Sequence, residues 1–284
     1  MNAVDTRPQR LPGTRRKTLN IKRFKAGVLL FLFLGVLYWG CGRWSTGSAS
    51  GPALAAPPTT RPASAKLRLA TFNIHSGVGG KDDKFDLNRT AETLRGADVI
   101  TLQEVAGGGL FSPDQAQLLG GIMGMTALFQ PTETHFWMPA FGNAVLTNRP
   151  LGPWSRTALP NGYRMAHRSM VQFTVPIGDK TLTVLAVHLG KKSDRQRQFE
   201  LVTKTFKALP EPAVLMGDLN TRPYENMMIG FLKTSGATDA LGQYLAPGDR
   251  VDYIITRGLK CTNAGLIDIG ASDHPSAFAE IEAE

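Results

Sequence analysis

The chain is poor in cysteine: its 284 residues include only Cys41 and Cys261. One lies in an apolar N-terminal segment and the other far along the chain, so a structural disulfide between them is not expected. Neither has a partner at metal-ligand spacing, and no cluster of histidine and cysteine indicates a zinc site. The hydrophobic content of 42% is ordinary for a globular protein, and the length suits one large domain or two small ones.

Acidic residues are nearly absent from the first 66 positions. This region holds 11 lysines and arginines against a single acid, Asp5, so its charge is about +10. Residues 67–284 hold 21 basic and 22 acidic residues, a charge of about −1. The net charge of +9 therefore belongs to the tail. A polyanion-binding function for the rest of the chain cannot be argued from it.

An uncharged apolar run covers residues 26–42, and residues 1–25 before it form a basic tail. Seventeen helical residues span roughly 25 Å, within the range usable for a membrane. The charge bias predicts a single-pass signal anchor with a cytoplasmic N-terminus and an extracytoplasmic remainder. Two alternatives stay open. One is secretion after cleavage near the A-x-A-like sequence at 53–55, and the other is lipidation of Cys41.

The segment 43–66 is rich in Ser, Ala, Pro and Thr and has no apolar periodicity. This composition predicts a flexible, partly extended linker. Beyond it, residues 67–284 alternate between apolar runs typical of strands and patterns typical of helices. Because hairpins occur among the alternating elements, the pattern indicates a mixed, layered α/β domain.

Polar side chains stand at the ends of the predicted strands, where an apolar strand does not need them. If these ends converge, they form a pocket of four carboxylates, two histidines and two carboxamides. Each close carboxylate pair would cost about 4 kcal/mol at ~4 Å and an effective dielectric near 20, so such a cluster favours a bound cation, shared protons or a charged histidine. Oxygen ligands suit Mg²⁺, Mn²⁺ or Ca²⁺ and hence phosphoester hydrolysis. The residues are Asn73, Glu104, His188, Asp218, Asn220, Asp252, Asp273 and His274.

Five short motifs follow one another in an order that resembles the endonuclease/exonuclease/phosphatase superfamily, and the likeness spans nearly all of 67–284. The motifs are TFNIH (71–75), LQEV (102–105), GDLNTRP (217–223), RVDYI (250–254) and ASDHPS (271–276). The resemblance implies a four-layer α/β sandwich, with two mixed sheets face to face and helices outside. It also implies a metal-dependent phosphoric ester hydrolase. His188 matches a strand-end histidine of the deoxyribonuclease, sphingomyelinase and many phosphatase branches.

The metal ligands follow from the same resemblance. Glu104 matches the main ligand of the superfamily, and Asn73 and Asp273 match residues that support the metal directly or through water. The implied ion is Mg²⁺, with Mn²⁺ as a substitute.

The catalytic roles are implied in the same way. Asp218 would orient or deprotonate the attacking water, and Asn220 would hold a phosphate oxygen. His274 would face the phosphate, with Asp252 fixing its tautomer. Arg168 begins a strand, and two interpretations stay open: its guanidinium binds a phosphate bidentately, or it is an arginine at the edge of the hairpin without such a role.

The expected partners are a phosphoester substrate and, through the N-terminal segment, a membrane. Lipid head groups and other extracytoplasmic phosphoesters are the favoured substrates. Nucleic acid is an alternative substrate that the near-neutral charge of the domain does not favour. The sequence makes no prediction about the oligomeric state.

Overall fold

The computed structural model describes residues 21–40, 42–55, 64–109, 113–162, 165–191, 193–246 and 248–283. The chain divides into two compact units, Met1–Cys41 and Gly42–Glu284. Residues 1–20 of the predicted basic tail and 56–63 of the predicted linker lie outside the described residues.

The first unit contains helix α1 (Ile21–Gly40), which covers most of the predicted anchor. Within the ranges that the structure describes, no helix combines the length and the apolar character needed to cross a bilayer.

Two mixed seven-stranded sheets make up the second unit. The strands of sheet 1 are, in spatial order, β1 (Trp44–Ser45), β5 (Thr126–Thr134), β6 (Phe141–Thr147), β4 (Val99–Ala106), β3 (Lys66–Asn73), β14 (Ser276–Ala283) and β13 (Leu259–Ile267). In sheet 2 the order is β11 (Thr238–Asp239), β12 (Asp252–Arg257), β10 (Ala213–Asp218), β9 (Lys180–His188), β8 (Ser169–Ile177), β7 (Trp154–Ala158) and β2 (Ala49–Gly51). Each sheet pairs two central strands in parallel, β3 with β4 and β9 with β10.

In the described part of the second unit, four α-helices cover the outer faces of the sheets. They are α2 (Leu87–Thr93), α3 (Gln115–Met123), α4 (Arg195–Lys207) and α5 (Asn226–Ser235). Asp86 is the N-cap of helix α2, and its carboxylate accepts the backbone N–H groups of Asn88 and Arg89 at 3.0 and 3.1 Å.

Three apolar cores separate these layers. Residues such as Leu69 and Phe173 fill the space between the two sheets. Phe72 of sheet 1 packs with residues of α2 and α3, and Leu215 of sheet 2 packs with Phe206 of α4 and residues of α5. Because the central strands are buried on both faces, they read as nearly continuous apolar runs. The predicted four-layer α/β sandwich is confirmed.

The prediction of a flexible linker at 43–66 is wrong for residues 44–54, and the domain begins at Gly42, not at residue 67. Strand β1 pairs with β5, and β2 pairs with β7, so this segment adds an edge strand to each sheet. Leu54 continues the contact, donating its N–H to the carbonyl of Leu151 at 2.8 Å. Edge strands are held mainly by backbone hydrogen bonds, which a Ser/Ala/Gly-rich sequence can form without an apolar pattern.

Candidate active site

The register of sheet 2 places three of the predicted residues side by side. Asp218, the last residue of β10, lies opposite His188 of the parallel strand β9 and opposite Asp252 of the antiparallel strand β12. All three side chains are buried. Strand pairing alone therefore brings two carboxylates and an imidazole together at one end of the central strands of sheet 2.

Asp218 is shielded from water and surrounded by donors. Its carboxylate accepts the N–H of Asn220 at 2.9 Å and the side-chain amide of Asn73 at 3.2 Å. Burial, followed by the charge of Asp252, raises the pKa of Asp218 to about 7, although the positive charge of His274 and these hydrogen bonds oppose the shift. At neutral pH the group is thus balanced between accepting and releasing a proton.

His274 and Asp252 form a charged pair. Nδ1 of His274 lies 2.8 Å from Oδ2 of Asp252. Burial of the imidazole works against its charged form, but the hydrogen bond and charge of Asp252, with the charges of Asp218 and Asp273, outweigh it and raise the pKa of His274 to about 9. The imidazole is therefore a cation at neutral pH, with Nε2 as its second donor.

His188 differs from His274 because it stays neutral. Burial and the nearby charges of Arg168, His274 and Lys191 hold its pKa well below the ordinary value. Nε2 of His188 lies 3.4 Å from Oδ2 of Asp218 and 3.9 Å from Oε1 of Glu104. Among the described residues no group makes a hydrogen bond to this nitrogen.

Arg168 precedes strand β8 and is largely buried. Burial lowers its pKa, while the charges of Glu104, Asp218 and Glu133 favour the cation. Its buried Nε atom has no hydrogen-bond partner among the residues that the structure describes. A phosphate oxygen is a suitable acceptor for such a group.

Sheet 1 contributes Asn73 and Glu104. Asn73 ends β3 and uses both ends of its amide, donating to Asp218 and accepting the N–H of His75 at 3.2 Å. Glu104 lies in a β-bulge of β4, where the pairing with β6 shifts between Leu102 and Val105. Its backbone has a φ of 56°, a left-handed conformation that is rare outside glycine. The bulge redirects the Glu104 side chain toward His188.

The loop before β14 supplies Asp273 and His274. Ser272 anchors it: its hydroxyl donates to the carbonyl of Asn73 at 2.7 Å and lies 3.1 Å from Oδ1 of Asp273. The same carboxylate oxygen lies 3.9 Å from Nδ1 of His75. This loop thus joins the end of β3 to the His274–Asp252 pair.

Asn220 follows β10 with a φ of 47° and donates its side-chain amide to the carbonyl of Leu189 at 2.7 Å. The glycine of the same motif, Gly217, has a φ of 140°, and a Cβ at this position would lie 1.9 Å from the carbonyl oxygen of Val187. Only glycine lets β9 and β10 approach closely enough to align His188 with Asp218.

The donor set fits a divalent cation. Asp218, Asp252 and His274 each offer a ligand atom, and these atoms lie within 4.8 Å of one another. Glu104 adds a partly exposed carboxylate beside them, 3.9 Å from His188. Carboxylate and amide oxygens are the ligands that hard cations prefer. The assignment of Asn73, Glu104 and Asp273 as the metal ligands stays a prediction.

Two supporting residues were not found from the sequence. Ser272 stands inside the ASDHPS motif, which is the signal that would have found it. Gln115 of α3 accepts the N–H of Ala106 at 2.9 Å and donates to the carbonyl of Ser76 at 2.6 Å, so it ties the turn after β3 to the end of β4. A single glutamine in an unpredicted helix gives no such signal.

The sequence profile of the Endonuclease/Exonuclease/phosphatase family matches residues 70–274, which include most of the second unit and all the motifs named above except the last two residues of ASDHPS. The chain belongs to this family. Among curated proteins no significant match is found.

Solved structures of family members share the fold. An endonuclease/exonuclease/phosphatase from Beutenbergia cavernae is 23% identical with a TM-score of 0.63, over 77% of this chain and 72% of that one. Sphingomyelinase C from Streptomyces griseocarneus is 16% identical with a TM-score of 0.53, over 77% and 99%. D. rerio TDP2, complexed with a single-strand DNA product, is 18% identical with a TM-score of 0.55, over 77% and 99%.

Family membership gives the reaction class. The chain is a phosphoester hydrolase of a metal-dependent family. The site combines a carboxylate with a pKa near neutrality, a cationic histidine and a buried arginine. These groups match the needs of water attack on a phosphoester.

Proposed function

We propose that the protein is a membrane-attached, Mg²⁺-dependent phosphodiesterase or phosphatase that acts on phosphoesters at a membrane surface, lipid head groups among them. The observation that carries the proposal is the convergence of Asp218, Asp252 and His274 within 4.8 Å, beside Glu104 and Arg168. The reaction is in-line attack of water on phosphorus.

Proton transfer is assigned to the buried side chains. Asp218, with its pKa of about 7, accepts a proton from the attacking water as the new P–O bond forms. His274 is charged at neutral pH, so it stabilises the phosphoryl oxygens and gives a proton to the leaving oxygen as the ester bond breaks. Asp252 holds the imidazole in the required orientation through the 2.8 Å hydrogen bond.

The negative charge of the substrate phosphate is stabilised by cationic groups and hydrogen-bond donors of the site. Arg168 binds a nonbridging phosphate oxygen, and Asn220 holds a second one. Glu104, Asn73 and Asp273 would hold Mg²⁺, with Mn²⁺ as a substitute; the bound ion supplies positive charge against the phosphate and lowers the pKa of a bound water. Asn73 acts partly through Asp218, because its amide already donates to that carboxylate.

Membrane attachment is assigned to residues 26–42. Positions 28–37 of α1 read VLLFLFLGVL, so apolar side chains surround the helix on all sides. A helix of this kind is typical of a buried or membrane-embedded segment. The basic residues before it lead us to propose a cytoplasmic N-terminus and an extracytoplasmic catalytic domain.

Retention of the N-terminal segment is preferred over secretion after cleavage at 53–55. Cleavage after Ala55 would remove β1, β2 and the Leu54–Leu151 bridge, the edge strands of both sheets. It would also remove two backbone acceptors of the buried Arg156, the carbonyls of Thr46 and Gly47. N-terminal sequencing of the protein from its native host is expected to find these residues present, and a start at residue 56 would contradict retention.

A nuclease is the alternative. The likeness to TDP2, whose structure holds a single-strand DNA product, favours it. The charge of about −1 for residues 67–284 speaks against strong binding of a polyanion.

The test is a substrate panel with the full chain in detergent. Mg²⁺, Mn²⁺, Ca²⁺ or EDTA is added to bis-p-nitrophenyl phosphate, sphingomyelin, phosphatidylinositol, soluble inositol phosphates, single-stranded RNA and plasmid. We expect Mg²⁺-dependent hydrolysis of bis-p-nitrophenyl phosphate and of at least one lipid. Plasmid nicking with strong salt dependence and no lipid turnover would favour the nuclease. Hydrolysis that persists in EDTA would overturn the mechanism.

A further inference from the structure

Three large apolar side chains are exposed together in the loop that follows β5. Phe136, Trp137 and Met138 are 61%, 46% and 59% exposed, and the rings of Phe136 and Trp137 pack edge to face with centroids 4.5 Å apart. Trp44 of β1 is 46% exposed. Clusters of this kind are uncommon on soluble monomers and mark contact surfaces.

Strand pairing brings Trp44 to the same corner as this loop. Trp44 lies opposite Thr134, the last residue of β5, and His135 is the next residue of the chain. Opposed residues of antiparallel strands have Cα atoms about 5 Å apart, so the loop starts beside Trp44. We call Trp44, Phe136, Trp137 and Met138 the apolar corner.

The apolar corner lies at the active-site end of sheet 1. The loop ends at β6, whose first residue, Phe141, pairs with Ala106, two positions after Glu104. The N–H of Gly107 also donates to the carbonyl of Ala140 at 2.7 Å. A surface that binds the corner is therefore next to the end of the sheet from which Glu104 projects.

The position of the apolar run 26–42 in the sequence indicates which kind of surface binds the apolar corner. The uncharged run 26–42 ends just before β1. Gly40 and Trp44 are only four positions apart in the sequence, so the chain between them spans at most roughly 14 Å. Any membrane that holds the run lies within that reach of Trp44.

Charges at the corner are compensated. Glu133 lies 3.9 Å from Arg43 and 3.8 Å from His135. An apolar surface with tryptophan and one exposed arginine suits the interfacial region of a bilayer, where indole rings lie at the head-group level.

We propose that the apolar corner binds the interfacial region of a lipid bilayer and holds the active-site end of the domain toward it. The inference rests on the membrane attachment proposed above. It implies that a phosphoester in a lipid head group reaches the site without leaving the membrane.

The experiment uses tryptophan fluorescence of the full chain reconstituted in vesicles of phosphatidylcholine and phosphatidylglycerol, with or without bromine on the acyl chains. In one protein Trp39, Trp44 and Trp154 are replaced by phenylalanine, so that Trp137 alone reports. In the matched control Trp137 is also replaced by phenylalanine and Ile122→Trp is added. Ile122 is 50% exposed near the end of α3, beside the start of β5 and roughly 27 Å from the loop.

Emission from Trp137 is expected to shift to the blue and to fall at least twofold with brominated lipid, while the Ile122→Trp control changes little. A third protein, with all four tryptophans replaced and Phe136→Trp added, should behave like the first. Each protein must keep the thermal unfolding transition of the wild type.

Equal quenching at positions 137 and 122, or none at either, would overturn the apolar corner as a specific lipid contact, and the second result would favour a protein partner. If the chain does not float with vesicles at all, membrane attachment and the corner both fail. If it floats but Trp137 and Phe136→Trp stay unquenched, only the corner fails. None of these readouts depends on hydrolysis.

Discussion

The two halves of the active site differ in how much water they meet. On sheet 2, the side chains of His188, Asp218 and Asp252 are at most 4% exposed, whereas those of Glu104 on sheet 1 and Asp273 in the loop before β14 are 21% and 51% exposed. Burial raises the pKa of Asp218 to about 7 and keeps His188 neutral, whereas the hydrogen bond and charge of Asp252 keep His274, from the loop before β14, cationic. Because the carboxylates of Glu104 and Asp273 are exposed to solvent, a hydrated cation can reach them. In the proposed mechanism, the first half transfers protons and the second half binds the metal ion.

The largest effect is expected from Glu104→Ala. Loss of the proposed main metal ligand should lower hydrolysis of bis-p-nitrophenyl phosphate by about 10³-fold or more, because the charge that stabilises the transition state is lost. The melting temperature should change little, since the side chain is partly exposed. The matched control is Glu200→Ala, an exposed glutamate of α4, which should keep full activity. A large drop in melting temperature for Glu104→Ala alone would assign this residue to the fold instead.

Asp218→Asn should lower activity by about 10²- to 10³-fold, because an amide cannot accept the proton. The same substitution should also change how the free energy of unfolding depends on pH. The folded-state pKa of about 7 lies above the ordinary 3.8, so the contribution of Asp218 to wild-type stability is greatest below about pH 4 and is lost as the pH rises through 7. The asparagine variant should lack this loss when chemical unfolding is followed from pH 4 to 8.

A buried carboxylate elsewhere provides the control. Asp98 accepts from Asn148 at 3.1 Å and pairs with Arg149 at 3.3 Å, beside the start of β4. Asp98→Asn should lower stability at every pH in that range and leave the rate unchanged. If Asp218→Asn behaved in the same way, Asp218 would be a structural residue.

The third variant, Asp252→Asn, is expected to change how the rate of hydrolysis depends on pH. Without its carboxylate partner, the pKa of His274 should fall from about 9 toward the ordinary 6.5. The charged fraction at pH 8 then drops roughly 30-fold, and the rate should drop with it. At pH 6 the two proteins should agree to within about twofold. A pH-independent loss of activity would mean that Asp252 does not act through the charge of His274.

The smallest effect is expected from Ser272→Ala. The hydroxyl positions Asp273 and the end of β3, so its removal should weaken Mg²⁺ binding by about tenfold. Activity at saturating Mg²⁺ should recover almost fully, which a rate-against-Mg²⁺ titration will measure. The control is Ser276→Ala at the start of β14. It removes a 3.4 Å hydrogen bond to the carbonyl of Thr71 in β3 and should not alter the Mg²⁺ dependence of the rate.

Much of the fold and the site could be predicted because buried central strands leave continuous apolar runs in the sequence. Asp218 and Asp252 both stand at strand ends, and pairing of those strands brings them together. The resemblance to the family added the order of the motifs. These features follow from local sequence and elementary sheet geometry.

Other features could not be predicted, because they depend on contacts between distant residues. The amide of Asn73 meets Asp218 across 145 positions, and the bulge at Glu104 is visible only in the pairing of β4 with β6. Residues 44–54 give no apolar signal, because they are held through their backbone at the sheet edges. The transmembrane span predicted at 26–42 finds no support among the described helices.

The most direct test of the division between the two halves is calorimetric titration of Mg²⁺ into the wild type, Glu104→Ala and Asp218→Asn. Glu104→Ala should lose Mg²⁺ binding, whereas Asp218→Asn should keep an affinity within about tenfold of the wild type. Loss of binding in Asp218→Asn with normal binding in Glu104→Ala would contradict this division, because the cation would then belong to the buried half.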